Sequence, residues 1–94
     1  MIVRLLGLGQ YRLGDGDIAL VETADDAVEA AISAGDATAF SSALTGLIDR
    51  IREIGDPVSD DDFVTSDVIV PDADTTLEEA VAMGATGDEG LFPG

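Results

Sequence analysis

The chain has 94 residues, 46% of them hydrophobic, which suits one globular domain and argues against disorder. Its 20 Asp and Glu face four Arg and no Lys, a net charge of −16, which disfavours nucleic acid and anionic lipid headgroups as partners because both call for clustered cations. With no Cys, disulfides, thiolate nucleophiles and Cys-bound metals are excluded as well.

The first apolar run, Ile2 to Leu6, is rich in strand formers, and Gln10 to Leu13 is a second. Gly7-Leu8-Gly9 joins them at hairpin length. Apolar residues occupy both alternate sets of the first run, which predicts a central strand covered on both faces except around Arg4. Gly14-Asp15-Gly16 breaks the second strand. From Asp17 the period turns helical: Ile18, Val21, Ala24, Val28, Ala31 and Ile32 recur at three- and four-residue steps, with Glu22, Asp25, Asp26 and Glu29 on the remaining face. Gly35 ends this helix as a C′ residue and Asp36 caps the next. In that second helix Phe40, Leu44, Leu47, Ile48, Ile51 and Ile54 draw one apolar stripe before Gly55 stops it. So short a linker forces an antiparallel helix hairpin. Arg50 and Arg52 fall in its last turns, where cations suit the helix dipole.

Asp56-Pro57 opens an acidic, turn-rich connector that runs to Asp67. Val68-Ile69-Val70, stopped by Pro71, reads as a short strand able to pair with the opening hairpin. Thr75-x-x-Glu78 has capping-box spacing, so a short third helix starts near Thr76 and carries Leu77, Ala80, Val81 and Met83. A glycine-rich stretch then leads to Leu91-Phe92-Pro93-Gly94, whose apolar groups are better buried than exposed. The expected fold class is α+β: one domain over residues 1–94, with an N-terminal β-hairpin and a short third strand packed on an antiparallel helix hairpin, and a short third helix near the C-terminus.

The chemistry is sparse. A dinucleotide fingerprint would need glycine where Arg12 stands and a helix where the second strand runs, and a P-loop needs a lysine, so the early glycines are read as a hairpin turn. Asp56, Asp60, Asp61 and Asp62 lack the order of a calcium loop and are read as solvated acids, with a divalent-cation or small-ligand sensor as the lesser alternative. Without His, Cys or Lys, the serines have no usual base to activate them, and the expectation is a protein that is not an enzyme, with no catalytic, cofactor-binding or metal-binding residues. Candidate partner-binding residues are Arg4, Tyr11 and Arg12 on the hairpin, which offer a small patch to an acidic partner unless the arginines pair with nearby carboxylates. Leu91 and Phe92 are the other candidates, docking another chain or packing back on the core.

Two further expectations concern the setting. Self-repulsion at this charge density destabilises a compact state at low ionic strength, and the Debye length falls to about 3 Å at 1 M salt, so the composition predicts a halophilic protein. The opening MIVRLLGLGQ is too short and too soon interrupted for a signal-peptide core or a membrane span, which predicts a cytoplasmic protein without direct membrane insertion.

Taken in order, Met1-Ile2-Val3-Arg4, Gly9-Gln10-Tyr11, Ala34-Gly35-Asp36 with Ala39-Phe40, Gly55 and Pro57, Ser66-Asp67, Pro71, Thr76-Leu77-Glu78-Glu79, and Asp88-Glu89-Gly90-Leu91 with Pro93-Gly94 resemble the small PspA-associated family, PspAA. The sequence departs from the family pattern in glycine-rich residues 84–87, where helix is expected, and in its lysine-free acidic surface. The resemblance implies a non-enzymatic accessory protein of a phage-shock-type envelope stress response. Its implied partner is PspA, a coiled-coil protein of the ESCRT-III-like superfamily that assembles on stressed membranes and would recruit this protein to the inner membrane face. The rival reading is a free-standing homo-oligomeric structural subunit, such as a homodimer paired through the hairpin edge.

Overall fold

Ile2–Leu5 (β1) and Gly9–Arg12 (β2) pair antiparallel, with Leu5 opposite Gly9 and Val3 opposite Tyr11. The structure, a computed structural model, describes residues 1–59 and 64–82. The turn closes with the Leu8 N–H donating to the Leu5 carbonyl at 2.9 Å, and Gly7 takes φ 82°, the sign that the third place of a type II turn demands. The early glycines therefore make a turn, as the absent lysine had indicated.

Gly14 is the N-cap of a helix over Asp15–Ala34 (α1), two residues longer at its start than periodicity alone placed it. The Asp17 carboxylate causes the extension by accepting from the Gly14 N–H at 3.0 Å, which ties down the first turn. At the other end Gly35 sits at φ 64°, and the Gly35 and Asp36 N–H groups donate to the Ile32 and Ala31 carbonyls, a Schellman closure that glycine accepts without strain. Asp36 then turns its carboxylate to the Ala39 N–H at 3.0 Å and starts Ala37–Ile54 (α2). Two residues thus end one helix, begin the next and reverse the chain.

Asp56–Pro57 (β3) pairs antiparallel with β2, opposite Arg12 and Tyr11, and Val68–Val70 (β4) pairs parallel with β1. The sheet order is β3-β2-β1-β4. The sequence reading assigned Asp56-Pro57 to the connector because a two-residue segment containing proline has no strand signature. Proline is tolerated here because β3 is an edge strand. Leu77–Ala82 (α3) completes the described elements, and its capping box is Thr76 with Glu79 rather than Thr75 with Glu78. Thr75 belongs instead to the preceding turn, buried beside the Asp72 carboxylate that also accepts from the Asp74 N–H.

Val3, Leu5, Leu13, Val68 and Val70 from the sheet side form one buried cluster with Val21, Val28 and Ala31 of α1 and Phe40, Leu44, Leu47, Ile48 and Ile51 of α2. The helix hairpin therefore covers one face of the sheet, as two amphipathic layers require. β1 is central, but the expectation that both its faces are covered is only partly met. Leu6 lies beyond the strand end and is 39% exposed, while Ile2 is buried outside the main cluster. Asp25, placed by periodicity on the polar side of α1, is buried instead at 5% exposure. No buried side-chain polar atom among the described residues lacks a hydrogen-bond partner.

Candidate interaction surface

Two surfaces are available for binding, one on each layer. The first is the sheet face turned away from the helices. Strand alternation puts Arg4, Gln10 and Arg12 on it, with Ile69 of β4 at 55% exposure, and sends Tyr11 to the opposite face, half-buried against the core. The three hairpin residues nominated from sequence therefore do not make one patch: Arg4 and Arg12 share a face and Tyr11 does not.

Arg4 and Gln10 are also occupied. The Ser66 hydroxyl accepts from Gln10 Nε2 at 2.8 Å and from Arg4 Nε at 3.4 Å, and Gln10 Nε2 also reaches the Val64 carbonyl at 3.2 Å. Next to it the Asp67 carboxylate accepts from the Ile2 N–H at 2.8 Å, while the Asp67 N–H donates to the Ile2 carbonyl at 2.8 Å. Ser66-Asp67 thus pins the returning chain to β1 and β2. Gln10 and Ser66 entered the sequence reading only as residues of the family resemblance and not as bonding partners, because a polar residue alternating with apolar ones in a strand does not say what it bonds to.

The second surface is an open groove of about 350 Å³ between the two helices. Leu20, Thr23, Ala24 and Ala27 line it from α1, and Ala43, Gly46, Leu47 and Arg50 from α2. No sheet residue contributes, so the groove opens on the helical layer. Its depth comes from side chains that are small where the helices face each other. Leu20 is 44% exposed at its edge, and Arg50 is its single charged lining residue, bound to Glu53 of the same helix at 3.4 Å. Gly46 stands in mid-helix, and a Cβ built on it would meet nothing within 4 Å. The sequence reading took the Phe40 to Ile54 stripe as core first and interface second and placed no groove beside it, because the Ala and Gly positions next to Leu44 and Leu47 carry no apolar period of their own.

Arg50 and Glu53 make an exposed i,i+3 ion pair of small energetic weight. Leu91, Phe92 and the Asp60 to Asp62 loop lie outside the described residues. Among the described residues no three or more acids converge as a metal cage would require, and no helix is long and apolar enough to cross a membrane. The hairpin edge invoked for strand-paired dimers is occupied, since β2 pairs with β3 and β1 with β4.

The model of one protein family, described as PspA-Associated protein (PspAA), matches residues 1–94, the whole chain. No curated protein and no solved structure matches it.

Proposed function

The chain belongs to the PspA-associated protein family, PspAA, and from that premise we propose that it is a non-catalytic accessory protein that binds a PspA-type coiled-coil protein in the envelope stress response. The whole-chain family match carries the reading, because the family is described by its association with PspA. Composition supports it. Without His, Cys or Lys the chain offers few of the groups that serve as nucleophile or base, so action through a presented surface is the simpler chemistry. The charge of −16 opposes direct contact with anionic lipid, which leaves membrane recruitment to the partner.

Titration of purified protein with purified PspA from the same cells, at about 2 M KCl to screen the acids, tests the reading. Saturable binding is expected. Absence of binding at every salt concentration, low to high, overturns it.

A further inference from the structure

We propose that the α1–α2 groove is the seat of the partner, and that its occupant is an amphipathic helix of PspA with an apolar stripe flanked by basic residues; this rests on the partnership proposed above. Three observations converge on it. The groove spans Leu20 to Ala27 along α1, about 10 Å or two helical turns at 1.5 Å per residue, which is room for two turns of an incoming helix. Its floor is mostly apolar, with small side chains at Ala24, Ala27, Ala43 and Gly46, and the one cation of its lining, Arg50, is already paired with Glu53, so large apolar side chains at i, i+3 or i+4, and i+7 of the occupant fill it. Exposed acids border it on both helices: Asp26 lies three residues on from Thr23 and Asp49 three on from Gly46, the spacing of neighbours on a helix surface. That arrangement of apolar floor and acidic rims is the complement of an apolar stripe with Lys or Arg on its flanks.

Gly46 supplies an independent indication. Among the described residues nothing requires glycine there, because its φ is not positive and an added Cβ meets no atom within 4 Å. Glycine inside a helix nevertheless weakens it relative to alanine. The space above Gly46 is used by none of the described residues and is filled when the partner helix crosses close to α2.

Gly46→Leu separates binding from folding. Leucine is a strong helix former and projects into the groove, so the variant is expected to melt at or above the wild-type temperature and to bind PspA at least tenfold more weakly. Unchanged affinity in a folded Gly46→Leu variant overturns the groove while leaving the PspA partnership standing; no binding by the wild type overturns both. As a second measurement, p-benzoylphenylalanine is placed at Thr23 on the groove or at Ile69 on the open sheet face. Photocrosslinking to PspA from position 23 and not from 69 is expected, and crosslinking only from 69 assigns the partner to the other layer and refutes the proposal.

Discussion

Gly55→Ala is expected to destabilise the domain, and the reason is space rather than backbone conformation. Gly55 has φ −80° and ψ 153°, which alanine adopts freely, yet a Cβ there would lie 2.7 Å from the Ile51 carbonyl oxygen and 3.1 Å from Tyr11 Cβ. The first of these is backbone, held by the Gly55 N–H at 2.8 Å, so it cannot swing aside as a side-chain tip would. Relief requires the last turn of α2 to open or β2 to retreat, overpacking that costs about 1–3 kcal/mol. Reduced freedom of the unfolded chain returns about 0.4–1 kcal/mol. The net loss is about 1–2 kcal/mol, and at about 4–8 °C per kcal/mol for a domain of this size Tm falls by roughly 5–15 °C. Gly46→Ala is the internal control. It meets nothing and gains about 0.8–1.0 kcal/mol of helix propensity, so its Tm rises by several degrees. Thermal melts of both variants, followed by circular dichroism at 222 nm in one high-salt buffer, decide the matter. A Gly55→Ala melt equal to or above wild type would refute the close-approach reasoning.

Asp67→Ala removes the acceptor of the Ile2 N–H at the β1–β4 junction and is expected to cost about 1–2 kcal/mol, measured by urea denaturation with an unchanged m-value. Asp36→Ala deletes the α2 cap and is expected to cost about 1 kcal/mol, whereas Asp36→Asn restores most of it. If the chain is adapted to salt, its urea midpoint rises markedly between about 0.1 M and 2 M KCl as the acids are screened, and an unchanged midpoint rejects that adaptation.

Elements with a period of their own were legible in the sequence. The Phe40 to Ile51 stripe, the Gly35-Asp36 junction and Val68–Val70 before Pro71 all appear where their apolar spacing and punctuation put them. What was hidden depends on tertiary partners. Two residues cannot announce a strand, so Asp56–Pro57 becomes one only because β2 offers a free edge. The first turn of α1 depends on a single carboxylate, and Asp25 is buried because its neighbours Val21 and Val28 carry it inward. The groove was illegible for a different cause: it is made of side chains that are missing bulk, and absence has no hydropathy.

The parallel β1–β4 pairing has a consequence for how the molecule is assembled. Asp67 bonds Ile2 across a separation of 65 residues, so closing that ring carries a chain-entropy barrier on the order of 4 kcal/mol. The helix hairpin and β1–β2 need only nearby residues and can form first. As synthesis proceeds, one side of β1 waits as an open ladder until Val68–Val70 leaves the ribosome. Pulse-labelled hydrogen exchange during refolding is expected to find the amides of that last strand protected after those of the helices.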